Sequence, residues 1–551
     1  MQGRKPFEEK LFTNFQLSDR VPPDNFYRRL KEILDLRFIY KTTASYYGTE
    51  GQESIDPAVF FKLMLVGYLE NLGSDRRIIN TASMRLDILF FIGYNIDEAL
   101  PWHSTLSRTR QLYGEDVFKE LFKKVLKHCI DKGMVSGRRQ AVDSALVKAN
   151  ASMDSIAEKE VMLDADQYAQ ELTSNQDDKP QKVNAYKKKK VEEHHRWKQK
   201  AYQGQPGSRS KSNKEQTRDE EPNTMRPKFL SNHTHYSTTD KDARIAVKPG
   251  KPRQFNYLAQ TSVDTEHHVI THIEAHHADK KDSQCLPNVI KGLNENLTSE
   301  GLIIDQVLAD TGYSSGEALR ALEQNNITGY IPNFGQYKSE REGFIYHKEG
   351  DYYTCPENKK LEFKKIKDNN GYQVKEYRAS QKDCVPCLLR QTCIGKVASE
   401  KRIRETLDKP YYDKMHERLK TSYARKMKKL RQSTVEPVLG TLINFLAMKR
   451  VNTRGIKQAN KCLIMAAVAY NLKKALKFKT TKPMAALVKL PKGDNPFFLF
   501  CFFQYQLPLN DNFYQKGNFS LPLRLSTQIS TNDQNFIFEF LKAKSCNSYQ
   551  C

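Results

Sequence analysis

Apolar side chains recur at helical spacing through residues 1–135 of the chain. Asp56 and Pro57 are a typical helix start, an N-cap residue followed by proline at the first helical position, and an apolar run leads from Phe60 to Leu69. A second apolar stripe follows and stops at Gly133. The pattern predicts a helical N-terminal domain that ends near residue 135.

Between these two helices lies a short basic segment. Ser104 can cap a helix whose first turns carry Arg108 and Arg110, a shape suited to gripping phosphates or entering a DNA groove. An exposed basic helix with no contact role fits the same pattern. Arg108 and Arg110 are therefore candidate DNA contacts of a DNA-binding N-terminal domain.

From about Gly137 the apolar spacing changes toward the two-residue period of strands. The predicted strands lie at 140–147, 255–263, 268–275, 302–310 and 328–332, and helices near 285–294 and after Ser315 separate the later ones. Strands and helices in this order predict a mixed sheet with helices packed against it, which is the α/β class.

Three acidic residues, far apart in the chain, stand in three different local patterns. Asp143 and Asp310 each end an apolar run, and Glu436 lies within a helical pattern. If the fold brings them together, their charges repel, and the carboxylates would take up protons unless a cation sits among them. Ligation by oxygen alone suits Mg²⁺ or Mn²⁺. Each residue is ordinary by itself, but the set predicts a metal-dependent phosphodiester enzyme.

Lysine and arginine outnumber aspartate and glutamate, 89 to 65, which gives a formal net charge of +24 and a pI near 9.4. Such an excess points to a polyanionic partner, and beside phosphodiester chemistry that partner would be nucleic acid. No secretory signal follows Met1, no apolar run is long enough to cross a bilayer, and ten scattered cysteines suit a reducing compartment. We therefore expect a cytoplasmic protein with no membrane partner.

Two long stretches lack the pattern of a packed core. Residues from about 154 to 253 are polar and basic, with Trp197 among them, which predicts a solvated arm or insertion. Such an arm either lies along a nucleic-acid strand or makes no contact. Residues 485–551 form a C-terminal tail in which we find no chemistry, and its role is unassigned.

Four cysteines fall close together in the second half of the chain. They are Cys355, Cys384, Cys387 and Cys393, and two of them form a C-x-x-C knuckle. Four thiolates can hold a structural Zn²⁺ in a tetrahedral site, whereas a single knuckle is also compatible with reduced, unligated thiols. A catalytic zinc would need an open position that four cysteines do not leave.

Short blocks around the three acids resemble the DDE transposases of bacterial insertion sequences, and so does the segment Leu100–Arg108 of the helical region. The blocks are Ala141-Val142-Asp143-Ser144, Leu308-Ala309-Asp310-Thr311-Gly312-Tyr313 and Val435-Glu436-Pro437-Val438-Leu439-Gly440, with Arg431 before the last block and Arg454-Gly455 after it. The resemblance covers roughly residues 15–475, and the three acidic blocks are specific in combination.

The resemblance implies an RNase H-like catalytic core over 136–335 and 405–480, with an insertion subdomain at 336–404 that carries the cysteines. It implies that Asp143, Asp310 and Glu436 are catalytic and hold a pair of Mg²⁺ or Mn²⁺ ions. The implied reaction is cleavage of DNA at the ends of an insertion sequence, followed by strand transfer. Terminal repeats and target DNA are the implied partners, with a homodimer in the DNA complex and a place at the bacterial nucleoid.

The chain departs from the family pattern at one position. Related enzymes often carry a lysine seven residues after the glutamate, where it holds the transposon-end phosphate, and here Ile443 occupies that position. The candidates for that DNA contact are Arg431, Lys449, Arg450 and Arg454. The departure keeps open a catalytically inactive or repurposed DNA-binding protein. A nuclease of the same fold that never joins DNA ends is a further alternative.

Overall fold

The computed structural model describes residues 16–48, 50, 54–158, 232, 235–247, 252–335, 337–369, 372–395 and 397–478. All of these residues belong to one compact unit within Met1–Thr480. Most of the predicted polar arm, including Trp197, and the whole tail 485–551 lie outside the described residues. Within the part of the chain described, no helix has the length and apolar character needed to cross a membrane.

The N-terminal region is helical, as predicted. Its helices are α1 (Leu17–Arg20), α2 (Phe26–Ile33), α3 (Arg37–Thr43), α4 (Pro57–Leu69), α5 (Asp75–Met84), α6 (Leu86–Ile92), α7 (His103–Leu112) and α8 (Glu115–Asp131). The predicted start of α4 is confirmed, because the Asp56 carboxylate accepts hydrogen bonds from the backbone N–H groups of Ala58 and Val59 at 2.6 and 3.3 Å. Ser104 does not cap α7: that helix begins at His103, with Trp102 in the N-cap position and no side-chain cap.

A mixed sheet follows. Its strands are β1 (Arg139–Lys148), β4 (Arg244–Ala246), β5 (Gln254–Asp264), β6 (Ile270–His277), β7 (Gln306–Leu308) and β8 (Thr328–Tyr330). The order is β4-β5-β1-β7-β8, with β6 also paired to β5. Strands β1, β7 and β8 run parallel, and β5 is antiparallel to β1, β4 and β6. The sequence Asp264-Thr265-Glu266 between the predicted strands 255–263 and 268–275 is typical of a hairpin turn, and β5 and β6 are joined there. A short antiparallel pair, β2 (Ile156–Glu158) with β3 (His235–Ser237), stands apart from this sheet.

Five helices accompany the sheet. They are α9 (Asp282–Thr298), α10 (Gly316–Gln324), α13 (Lys409–Leu419), α14 (Ser422–Phe445) and α15 (Ile456–Lys477). Helix α9 packs on β5 and β6, α14 packs on β1 and β5, and α15 packs on β6 and α8. One continuous apolar core joins the helical region to the sheet. The architecture is therefore mixed α/β, as the sequence predicted.

Helix α15 is buried on nearly all sides between the sheet and the helical region. Even Lys461 on this helix is buried, and its Nζ donates to the backbone carbonyls of Arg110 and Tyr113 at 2.9 and 2.6 Å. These bonds satisfy the lysine inside the core. Helix α15 thus packs as the shared centre of both regions.

Between β8 and α13 the chain forms a second, antiparallel sheet. Its strands are β9 (Ile345–His347), β10 (Tyr352–Thr354), β11 (Lys360–Asn369), β12 (Tyr372–Ala379) and β13 (Arg402–Thr406). Tyr353, Leu361, Tyr377 and Ile403 give it a small core of its own. Two single-turn helices, α11 (Gln381–Cys384) and α12 (Arg390–Cys393), lie between β12 and β13. This insertion separates the strand that leads to Asp310 from the helix that carries Glu436.

Candidate active site

Asp143 lies in the middle of β1, opposite Thr261 of β5, and not at the end of its strand. Its side chain is 18% exposed, whereas the residues on either side of it along the strand are buried. The Asp143 carboxylate accepts a hydrogen bond from the backbone N–H of Ser144 at 2.7 Å. The sheet therefore holds an acid at its surface at this point.

Asp310 comes two residues after β7, which is the parallel neighbour of β1. Because Ala141 pairs with Leu308, continuing the register sets Asp143 level with Asp310. The Asp310 carboxylate caps the following turn by accepting from the Gly312 N–H at 2.9 Å. Burial raises the pKa of Asp310, and so do the nearby charges of Asp143 and Asp282. The structure thus brings these two sequence-predicted acids together.

Glu436 is joined to Asp143 through a single arginine on its own helix. Arg431 Nη1 lies 2.8 Å from an oxygen of Asp143, and Arg431 Nη2 lies 3.0 Å from an oxygen of Glu436. The Arg431 side chain is 10% exposed and that of Glu436 is 52% exposed. The guanidinium of Arg431 therefore links Glu436 on α14 to Asp143 on β1. Arg431, predicted as a DNA contact, lies inside the acidic site.

A fourth carboxylate, which the sequence reasoning did not identify, belongs to the same site. Asp282, the first residue of α9, accepts a hydrogen bond from Gln260 Nε2 at 2.8 Å, and Gln260 accepts one from the buried hydroxyl of Tyr313. A Cβ on Gly312 would lie 3.1 Å from one oxygen of Asp310 and 3.2 Å from one of Asp282. Both carboxylates therefore crowd the same glycine, which explains why their charges interact.

The side chains gathered here are of the chemical type that binds a hard divalent cation, because they are carboxylates. Several carboxylates converge here, and burial together with the charges of Asp143 and Asp282 raises the pKa of Asp310. Oxygen is the ligand that Mg²⁺ prefers. In the conformation described, no group of three or more His, Cys, Asp or Glu among the described residues has the geometry to hold a metal ion. At this site the Arg431 guanidinium lies between Asp143 and Glu436 and pairs with both.

Among the described residues, the four cysteines of the insertion do not form a group that could hold a metal ion, so this arrangement does not support the structural-zinc alternative. All four are free and partly exposed. The Cys355 Sγ accepts a hydrogen bond from the backbone N–H of Lys359 at 3.3 Å, and Cys355 and Cys384 pack against the small core of the insertion. Cys384 and Cys393 end separate short helices, with Cys387 in the loop between them.

The candidate DNA contacts divide by exposure. Arg108, Lys449, Arg450 and Arg454 are exposed. Arg110 is 1% exposed, and its guanidinium is paired with Asp75. The prediction that Arg110 contacts DNA is wrong for this structure, because a buried cation with a carboxylate partner has no face to offer a phosphate.

One aspartate on a strand, a second just after the neighbouring parallel strand and a third acid on a helix define an acid-centred site on an α/β sheet. Comparison with known families agrees with that class. Residues 15–112 match the family described as Transposase domain (DUF772), and residues 354–476 match the Transposase DDE domain. The second match contains Arg431 and Glu436 but neither Asp143 nor Asp310. No curated protein matches the chain.

The two family matches lie in the helical region and in the part that includes α14 and α15, respectively. Together they support a DDE-type transposase of the insertion-sequence type. The resemblance drawn from the sequence is confirmed at that level, and both domains support a DNA transposase role.

Proposed function

We propose that the protein cuts DNA at insertion-sequence ends and joins those ends to target DNA, with Asp143, Asp310 and Glu436 as its catalytic residues. The convergence of these acids, from parts of the chain that are far apart, carries the proposal. Asp143 on β1 lies level with Asp310, which comes two residues after the parallel strand β7, and Glu436 shares an arginine with Asp143. Aspartates on adjacent strands with a glutamate on a later helix are also the arrangement that an RNase H-like core implies.

In this proposal Asp143, Asp310 and Glu436 hold Mg²⁺ or Mn²⁺, and Asp282 lies beside Asp310. A pair of such ions, when bound, would activate the attacking hydroxyl and stabilise the leaving oxygen. Arg431 bridges Asp143 and Glu436 in the conformation described and offsets one of their two negative charges. Because a guanidinium and a metal ion compete for the same oxygens, Arg431 would turn away when the cation enters.

DNA would approach over exposed cations near the end of β1. The backbone N–H of Lys148 donates to the carbonyl of Lys449 at 3.3 Å, and that of Val451 donates to the carbonyl of Lys148 at 3.0 Å. These bonds fix Lys449 and Arg450 beside the last residue of β1, the strand that carries Asp143. Arg108 in the helical region and Arg454 beyond Arg450 would add contacts to the phosphate backbone. Terminal repeats and target DNA are the proposed ligands, and two copies of the chain would pair two ends.

The test is a nicking and strand-transfer assay with Mg²⁺ on DNA that carries the element's own ends. Asp143→Asn and Glu436→Gln should each abolish cleavage and leave DNA binding intact, because each removes a charge from the site without changing its shape. Asp305→Asn is the matched control, since Asp305 pairs with Arg138 at the other end of β7. A triad variant that cuts like the wild type would refute the catalytic assignment.

One observation favours a second candidate, a DNA-binding protein that has lost catalysis. Ile443, at the position where relatives often carry lysine, is partly buried and packs against the main core. It therefore offers no cation to a transposon-end phosphate. A wild-type chain that binds the element's ends but never nicks them with Mg²⁺ or Mn²⁺ would establish this alternative.

A further inference from the structure

A basic groove of about 490 Å³ lies between α14, the C-terminal end of α15 and the turn that joins β5 to β6. Its polar lining consists mainly of cations and imidazoles. The residues concerned are Lys473, Lys474, Lys477, His267 and His268. They come from two separate parts of the chain, so the fold itself gathers them.

No acidic residue lines this groove. Among the described residues, none of its three lysines forms an ion pair. Burial lowers the pKa of Lys474, and Lys477 lowers it further. Burial and the charge of Lys474 likewise lower the pKa of His268. Asp264 acts in the opposite direction on His268 but does not line the groove. The lysines are thus crowded without an ion-pair partner, and an anion in the groove would relieve that crowding.

A second groove on the same unit shows that such a lining is not general. This comparison groove, of about 330 Å³, also contains three lysines, Lys119, Lys123 and Lys291. Two carboxylates, Glu274 and Glu295, lie among them. Lysines in the last turn of a helix also complement its dipole, but that effect does not explain two imidazoles from another element.

The basic groove runs along the helix that bears the catalytic glutamate. Pro437, the residue after Glu436, lines it, and so does Thr441 one turn further on. An anion in the groove would therefore lie along α14, next to the acidic site. A polymer with regularly spaced phosphates can occupy both places at once, whereas a small anion cannot.

We propose that the basic groove binds the phosphate backbone of DNA as it leaves the catalytic acids. The inference rests on the proposed function and adds to it a specific binding site for the DNA backbone beyond the acidic site. Lys473, Lys474 and Lys477 are the phosphate contacts, and the imidazoles of His267 and His268 donate hydrogen bonds from the facing turn. The bound DNA is either the transposon end or the target duplex.

The test compares two triple variants of the full-length chain in EDTA, so that nothing is cut. One variant carries Lys473→Gln, Lys474→Gln and Lys477→Gln, and the control carries the same change at the three lysines of the comparison groove. Fluorescence anisotropy gives the affinity for duplex DNA over a range of KCl concentrations. Each lost phosphate contact should reduce the slope of log affinity against log salt by about 0.9. We expect a reduction of about two to three for the basic groove, and less than about one for the control.

Two duplexes of equal length separate the sources of the DNA. Loss of affinity only for the duplex with the element's end sequence assigns the groove to the transposon end. Equal loss on an unrelated duplex assigns it to the backbone of either DNA. If the two triple variants give equal slopes and both still bind and cut DNA, the proposal that the basic groove binds DNA is refuted. The proposed function is then unaffected. A wild-type chain that binds no DNA overturns both.

A second measurement uses the unmodified chain and so does not depend on how the variants fold. Amine acetylation, read by mass spectrometry, reports which lysines DNA covers. Lys473, Lys474 and Lys477 should be protected by duplex DNA, whereas Lys119 and Lys123 should react equally with and without it. Protection of the control lysines alone would contradict the proposal.

Discussion

Arg431 should be coupled more strongly to Asp143 than to Glu436, although its two distances are nearly equal, at 2.8 and 3.0 Å. The difference arises from solvent. Asp143 and Arg431 are both largely buried, so breaking their pair leaves a charge in a poorly solvated place, which costs about 3 kcal/mol. Glu436 is half exposed, and a pair of that kind contributes less than about 1 kcal/mol. We therefore predict coupling energies of about 2 kcal/mol with Asp143 and below about 1 kcal/mol with Glu436.

Two double-mutant cycles measure these energies. One combines Arg431→Met with Asp143→Asn, and the other combines Arg431→Met with Glu436→Gln. Each variant is unfolded with urea in EDTA and followed by far-UV circular dichroism, because divalent cations would compete with the guanidinium. A coupling with Glu436 equal to or larger than that with Asp143 would refute the reasoning, since it would mean that exposure does not set the strength of the pair.

Three further predictions follow from single contacts. Asp75→Asn leaves the buried guanidinium of Arg110 unpaired and should lower the free energy of unfolding by about 3–5 kcal/mol in urea titrations, whereas Asp35→Asn, in an exposed pair, should have little effect. Burial alone would raise the pKa of Glu274, but two neighbouring histidines on β6 lower it to about 2 from 4.5. This stabilisation requires protonated histidines, so it is present just above pH 4.5 and is lost as the pH falls toward 2. Glu274→Gln should therefore cost about 3 kcal/mol near pH 5 and almost nothing near pH 2, and a pH-independent difference in unfolding free energy would contradict this. Asp282→Asn should slow Mg²⁺-dependent nicking about ten-fold or more with unchanged DNA affinity, and wild-type nicking rates would exclude a role for this acid.

Local patterns in the sequence were sufficient for the elements whose cause is local. The Asp56–Pro57 start of α4 depends on a cap within three residues, so the local sequence contains its whole cause. The cap of α10 is of the same kind, because the Ser315 hydroxyl accepts from the N–H of Ala318 at 3.2 Å. The hairpin turn after Asp264 was also predictable from the two-residue period on either side of it.

Residues whose role depends on distant partners were not predictable in the same way. Arg110 looked like an exposed cation on an amphipathic helix, but its partner, Asp75, lies on a different helix that folds against it. Asp282 gave no signal beyond being an acid at a helix start. It joins the site only because α9 packs on β5, where Gln260 holds it. Arg431 and Asp143 are 288 residues apart in the chain, so their spacing in the sequence could not reveal that they form a pair.

The burial of α15 has a consequence for how the chain is made. The first helices leave the ribosome early, but the surface that they bury against α15 stays open until residues 456–477 have been synthesised. Throughout that interval α4 and α8 carry apolar faces without their final neighbour. These apolar faces therefore stay without their packing partner while hundreds of residues are translated. The unit can complete its core only after α15, nearly the last segment described, has been synthesised.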